Sequence, residues 1–453
     1  MTETTFIRAT RTLCPVCLRT IDGRIAARGK AVYLEKACPE HGPMESRIWP
    51  DVEHYEWMRT FSLPVVRPVV RPEIAREPIQ EPIDYGPDGP DCPRGCGICT
   101  RHLRKTTLVE MELTRRCNMR CPVCFMGAQE EPGEPDDLDL ETLRSMYASI
   151  LEEMGPDVSI QLTGGEPTVR SDLAEIVRLG ASMGFSAIEL NTNGLALSRD
   201  PDLASALKEA GASGIYLQFD GLTPEAYKEI RGADLLAEKL RVIERCREAG
   251  IQVVLAMTVI KGINEGEIGS VLQFALRNVD VVAGLALQPA FFSGRFEKER
   301  PDRLSMGDVM FLLAEQSGGL IDPYDLWPLG CSHPLCSAGV YLVESEGNGF
   351  LPSSRLISRE EYVREFNPDS PQGSVFADLL ARREGYTGRG LSVVVMNYMD
   401  AWTMDLERLQ ECSMTVKTAD LRTVPFCAYH LTNGNGEDMH RASFRKGQAI
   451  RVG

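Results

Sequence analysis

The chain has 453 residues, 43% of them hydrophobic and 25% charged, a balance that suits a soluble globular protein of about two or three units. Its 49 Lys and Arg against 65 Asp and Glu leave a net charge of −16, which repels phosphate backbones and argues against a nucleic-acid partner. No apolar run approaches a membrane span and the N-terminus lacks a signal-peptide core, so a cytoplasmic protein is expected, with at most transient membrane contact.

Fourteen cysteines in such a compartment are not a disulfide framework, and all but Cys246 read as metal ligands. The expected organisation is a metal-ribbon domain over 1–60, a Pro-rich strap with a cysteine loop over 61–106, a partial barrel over 107–290 and an auxiliary iron–sulfur region over 291–453. In the first segment Cys14-Pro15-Val16-Cys17 faces Cys38-Pro39-Glu40-His41. Two tight turns, each with two soft ligands, make a tetrahedral site for zinc or mononuclear iron. A domain with so little core needs such a staple.

The strap carries prolines at 64, 68, 72, 78, 82, 87 and 90, which exclude a helix. It ends at Cys92, Cys96 and Cys99, whose spacing suits a second iron–sulfur cluster or a zinc knuckle. A strand over 108–114 then leads into Cys117-Asn-Met-Arg-Cys121-Pro-Val-Cys124-Phe125. Three thiolates on one short loop can hold three corners of a [4Fe–4S] cluster and leave the fourth iron open. Zinc wants four ligands, usually in separated pairs, and fits this loop poorly.

Beyond it, strands are expected over 158–162, 187–190, 214–219, 253–260 and 281–287. Helices are expected over 143–154, 172–183, 201–210, 235–249 and 265–276, with Cys246 packed as a core thiol on the stripe of Leu236, Leu240 and Ile243. Six βα units give an α/β fold, a partial (βα)6 TIM-type parallel barrel with reactive loops at the C-terminal strand ends. After about Phe291 the βα period is lost, and Cys331, Cys336, Cys412 and Cys427 are scattered ligands for an auxiliary cluster.

The cysteine loop resembles the signature of the radical S-adenosylmethionine (SAM) superfamily, and Thr163-Gly164-Gly165-Glu166-Pro167 resembles its glycine-rich motif. The resemblance implies that Cys117, Cys121 and Cys124 hold a cluster whose open iron binds SAM, which is cleaved to a 5′-deoxyadenosyl radical. Glycines permit close backbone approach to a ligand, and Glu166 would accept from the SAM ammonium. Phe125, Asn191, Asn193, Gln218, Asp220 and Ile260 would complete the SAM pocket. The order of ribbon, doubled cysteine loop, Cys-x-His-Pro-x-Cys and Pro-Phe-Cys-Ala-Tyr resembles the family of tetraether lipid synthase and the class D radical SAM methyltransferases. That family has a histidine where Thr415 stands here.

The resemblance implies two auxiliary [4Fe–4S] clusters, an external donor such as flavodoxin or ferredoxin, and carbon–carbon bond formation at unactivated carbon. The leading expectation is alkyl coupling on a lipid-like substrate. The alternative is methylation of a pterin or other small heterocycle. A peptide-modifying maturase or a non-catalytic iron–sulfur carrier fits the residues less well.

Overall fold

The computed structural model describes residues 4–63, 65, 67–68, 92–94, 101–127, 137–296, 302–345, 349–365, 380, 388–436 and 438–440. Cys96, Cys99 and strap residues 69–91 lie outside them. The N-terminal segment is a four-stranded antiparallel meander of β1 (Thr4–Leu13), β2 (Thr20–Arg28), β3 (Ala31–Cys38) and β4 (Gly42–Trp49). Its β2–β3 hairpin turns on Gly29 at φ +57°, a left-handed backbone that costs glycine nothing. Helix α1 (Val52–Arg59) follows, capped by Asp51, whose carboxylate accepts the His54 N–H.

The catalytic-sized body is built on β5 (Leu108–Glu112), β7 (Ser159–Thr163), β8 (Ile188–Thr192), β9 (Gly214–Gln218), β10 (Gln252–Val259) and β11 (Val282–Pro289). They lie side by side in chain order, all parallel, as the six expected units require. A short β6 (Val123–Cys124) sits within the cysteine loop and pairs with β12 (Arg295–Phe296). Alternation along each strand separates two environments. Val109, Met111, Ile160, Leu162, Ile188, Leu190, Ile215 and Leu217 are buried in the apolar layer shared with the helices. The opposite face carries Glu110, Glu112, Gln161, Glu189, Asn191, Tyr216 and Gln288, and it lines the barrel interior.

The helices are α2 (Leu140–Met154), α3 (Leu173–Ser182), α4 (Leu195–Arg199), α5 (Leu203–Ala210), α6 (Pro224–Arg231), α7 (Leu236–Ala249) and α8 (Ile268–Arg277). The stripe expected on α2 is buried through Leu143, Met146, Tyr147 and Ile150. Two expectations are corrected. The helix placed over 201–210 is α5, but a short helix that no expectation included, α4, precedes it, with Asp200 and Pro201 breaking the run between the two. On α7 the buried stripe is Lys239, Val242, Ile243 and Cys246, while Leu240 is exposed.

The region after Phe291 does not stand apart from the barrel. Strand β14 (Gly390–Met396) pairs in parallel with β11, and β15 (Met414–Lys417) pairs in parallel with β5. Antiparallel β13 (Ser337–Ser345) and β16 (Thr423–Pro425) extend the two edges further. The C-terminal chain therefore leaves one edge of the sheet and returns to the other. The segment between β14 and β15 carries Tyr398 into the interior, and Phe426 to His430 follow β16. Among the described residues no helix is long and apolar enough to cross a membrane.

Candidate functional site

The cysteine loop leaves β5 at its C-terminal end and is zipped to the loop that leaves β7. Leu113 N donates to Thr163 O at 2.8 Å, Gly165 N to Thr114 O at 2.8 Å and Glu166 N to Arg116 O at 2.9 Å. The two glycines serve this seam. Gly164 has φ +140°, and a Cβ there would meet Thr114 O at 2.3 Å; a Cβ on Gly165 would meet Arg116 O at 2.1 Å. The expected close approach is thus to the backbone that launches Cys117, not simply to a ligand.

Glu166 also serves the frame. Its carboxylate is 1% exposed and accepts from Thr168 N (3.1 Å), Thr168 Oγ1 (2.5 Å), Thr192 Oγ1 (2.6 Å) and Asn193 N (2.7 Å). Three of these donors converge on Oε1 and one reaches Oε2, so Glu166 braces the β8 exit through Oε1 while Oε2 keeps a lone pair for a further donor such as an ammonium. Asn193 extends the brace, its Nδ2 donating to Asn118 Oδ1 of the cysteine loop at 2.7 Å.

Asp220 is fully buried and held by its neighbours. Arg231 grips it through Nε at 2.7 Å and Nη2 at 2.9 Å, and Thr258 N donates to it at 3.2 Å. Arg231 Nη1 then donates to Val123 O at 3.1 Å, which ties this pair to the cysteine loop. Gln218 and Ile260 belong to the same frame. Gln218 Nε2 donates to Asp220, and Ile260 N donates to Asn264 Oδ1 at 2.8 Å. Lys239 is buried beneath, donating to Asn193 O and to Gln218 Oε1 at 2.8 Å. Burial drives its pKa from 10.5 to about 7.

The residues present fit an iron cluster. Burial pushes the Cys117 thiol up to about 12, with Glu166, Cys121 and Cys124 adding to the rise. Burial also raises Cys121, while the nearby Arg231 charge opposes it. Three thiols close enough to oppose one another's ionisation, beside a buried guanidinium, suit a site where metal takes the place of protons. Phe125 faces inward, its ring centroid 5.4 Å from Phe291 and 5.0 Å from His430.

Below this rim the interior is polar. Glu110 pairs in register with Gln161, and Gln161 with Glu189. Gln161 Nε2 donates to Glu189 Oε2 at 2.8 Å, and Asn191 Nδ2 donates to Gln161 Oε1 at 3.3 Å. Gln288 Nε2 donates to Tyr216 Oη at 2.8 Å and lies 3.5 Å from Tyr398 Oη. His430 lies 3.6 Å from Glu110 and 4.0 Å from Glu112, and Tyr429 Oη donates to Glu112 at 3.0 Å. Burial raises the pKa of Glu189 and keeps Tyr216 and Tyr398 protonated.

The remaining cysteines fall in two places. Cys331, Cys336, Cys412 and Cys427 converge although the first and last are 96 positions apart, for Cys336 and Cys331 oppose the ionisation of Cys412, and Cys412 and Cys336 that of Cys427. Arg408 donates to Cys336 Sγ at 3.3 Å and Met399 N to Cys427 Sγ at 3.3 Å. Cys92 is half-buried against the cluster of apolar residues that includes Cys427. In the ribbon, one ligand atom each of Cys14, Cys17, Cys38 and His41 lies within 4.8 Å of all the others. Cys17 Sγ and Cys38 Sγ are 3.9 Å apart. A tetrahedral zinc with Zn–S of about 2.3 Å would set such thiolates about 3.8 Å apart.

Several of these residues escaped the motif reading. Lys239 carries a signal, a lysine in step with the apolar stripe of its helix. Glu110, Glu189, Tyr216 and Gln288 carry a fainter one, a polar residue at every second position of a strand. Arg231 ends α6, a helix no expectation included.

A radical SAM superfamily model matches residues 111–275, and a model described as the HMPTM N-terminal zinc ribbon domain matches 6–50. The 7,8-dihydro-6-hydroxymethylpterin dimethyltransferase of Methanocaldococcus jannaschii is 30% identical over 487 aligned positions, covering 93% of each chain. A probable GTP 3′,8-cyclase of Thermococcus kodakarensis is 33% identical over 205 positions, 44% of this chain and 64% of that one. The crystal structure of Streptococcus suis SuiB bound to precursor peptide SuiA aligns with a TM-score of 0.41 at 14% identity, over 48% of this chain and 46% of that one.

Proposed function

Because the chain belongs to the radical SAM superfamily and, within it, to the family of the 7,8-dihydro-6-hydroxymethylpterin dimethyltransferase, we propose that it methylates a dihydropterin or a closely related small heterocycle. Cys117, Cys121 and Cys124 would hold the [4Fe–4S] cluster that binds SAM. When bound there, that cofactor pair supplies the radical chemistry that breaks an unactivated C–H bond, which no side chain can do. The chain's own part is to fix and shield. The Gly164–Gly165 seam, the Glu166 carboxylate and the Asp220–Arg231 pair hold the cysteine loop over the barrel mouth. Cys331, Cys336, Cys412 and Cys427 would hold an auxiliary cluster at the far side of the interior, and Cys92 stands beside it. A small reduced iron–sulfur or flavin protein would supply the electron.

The observation that carries the choice of substrate is the polar barrel interior. An alkyl chain laid against Glu110, Gln161, Glu189, Tyr216 and Gln288 offers these polar groups no hydrogen bond, at a cost of about 1–3 kcal/mol for each bond it displaces. A flat heterocycle with donors and acceptors on its rim can bond to them. The alkyl coupling expected from the sequence therefore has less support than its alternative. Stimulation of 5′-deoxyadenosine release tests the choice. Reduced, iron-loaded protein with SAM should respond to 7,8-dihydro-6-hydroxymethylpterin and not to a long-chain lipid; the reverse response would refute the reading.

A further inference from the structure

The interior wall of β7 and β8 offers one carboxylate held by an amide that a second amide orients. Gln161 and Glu189 are register partners, and Gln161 Nε2 fixes Glu189 Oε2 at 2.8 Å. Asn191 Nδ2 in turn orients Gln161 through Oε1 at 3.3 Å. A second observation points to a ligand: Asn191 Oδ1 is buried and has no hydrogen-bond partner. A buried acceptor in a polar interior is costly unless something arrives to donate to it. The other interior carboxylates are engaged elsewhere, Glu110 and Glu112 facing His430 and Tyr429. On the opposite wall Gln288 and Tyr216 hydrogen-bond each other at 2.8 Å.

We propose that Glu189, positioned by Gln161 and Asn191, binds the donor edge of the substrate's pyrimidine ring and so sets which heterocycle is accepted. This rests on the reading of the chain as a dihydropterin methylase. A pterin carries a ring N–H and an exocyclic NH2 side by side, two parallel donors that match the two oxygens of a carboxylate as a guanidinium does. Asn191 Oδ1 lies two residues along the same strand face as a further acceptor. A 2-oxo analogue replaces the NH2 with an acceptor and turns like toward like. A buried site that bonds an N–H rejects the analogue lacking it far more strongly than an apolar wall rejects a missing methylene.

The test is a set of dissociation constants, measured anaerobically on iron-loaded protein with SAM, for 7,8-dihydro-6-hydroxymethylpterin and its 2-oxo counterpart. The wild type should prefer the 2-amino compound by about 10- to 100-fold. In Glu189→Gln that preference should shrink to within about threefold, and Glu189→Asp should restore part of it. The ratio of the two constants is insensitive to any fraction of misfolded variant. An undiminished preference in Glu189→Gln, with the wild type discriminating as expected, overturns the assignment to Glu189. A wild type that binds neither compound overturns the underlying reading as well, and is told apart because it fails before any substitution is made.

Discussion

Gly165 passes so close to Arg116 that its amide neighbour and its own missing side chain are both committed to the cysteine loop: a Cβ would sit 2.1 Å from the Arg116 carbonyl oxygen. That oxygen is backbone and cannot swing aside. Gly165→Ala should therefore push apart the seam that launches Cys117, with loss of about four irons per chain. Iron analysis with visible absorption checks this. Gly318→Ala is the contrast, since nothing lies within 4 Å of the new methyl and only the φ of +68° is strained. It should cost about 1–2 kcal/mol and keep the iron.

Arg231 and Asp220 make the second prediction. Asp220 is wholly buried, so Arg231→Met leaves a carboxylate without its bidentate partner and should cost about 3–5 kcal/mol. Asp220→Asn combined with Arg231→Met removes the stranded charge and should recover a good part of that loss. Anaerobic denaturant unfolding of the wild type and both variants reads the difference.

The contrast between these residues and the motifs explains what was legible. The cysteine loop, the ribbon ligands and six βα units announce themselves because spacing is dictated by local geometry: ligands on one turn, or an apolar residue at every second or every third to fourth position. Strands 390–396 and 414–417 join the same sheet without a βα repeat, so no periodicity betrays them. The sequence marks Glu166 and Asp220 as conspicuous acids at strand ends, but it does not show what holds them. Their hydrogen bonds come from Thr192, Asn193, Arg231 and Thr258, which only the fold brings near. Lys239 was hidden for the opposite reason, a charged residue inside an apolar stripe whose partners belong to two other loops.

The third prediction concerns pH. His440 is buried with Nε2 2.8 Å from Pro93 O, and burial, helped by Arg422, lowers its pKa from 6.5 to about 4. As pH falls through 6.5 the unfolded chain takes up a proton that the folded chain resists until about 4. Its contribution is therefore complete above about pH 6.5 and drains away toward pH 4. His440→Leu should flatten the fall in thermal midpoint across that window, and should cost about 1 kcal/mol above it through the lost hydrogen bond.

The fourth concerns the ribbon. Cys38→Ser should remove about one metal ion per chain. The ribbon is also a structural neighbour of the C-terminal region, since Lys36 Nζ donates to Ala401 O at 2.8 Å and Trp402 O at 2.9 Å, and Arg8 pairs with Asp405. Chelation or Cys38→Ser should thus speed proteolysis near Ala401 as well as within the ribbon. Cleavage confined to the ribbon would show that the two do not share stability.

The most direct measurement is the mass and label balance of a single anaerobic turnover. Iron-loaded protein, strong reductant, SAM, a folate-type one-carbon donor and deuterated 7,8-dihydro-6-hydroxymethylpterin should give 5′-deoxyadenosine and a pterin heavier by a methyl-for-hydrogen exchange. Replacing Cys121 with alanine should abolish both. An unchanged pterin from fully loaded protein that cleaves SAM, alongside a coupled product from an alkyl substrate, would contradict the account.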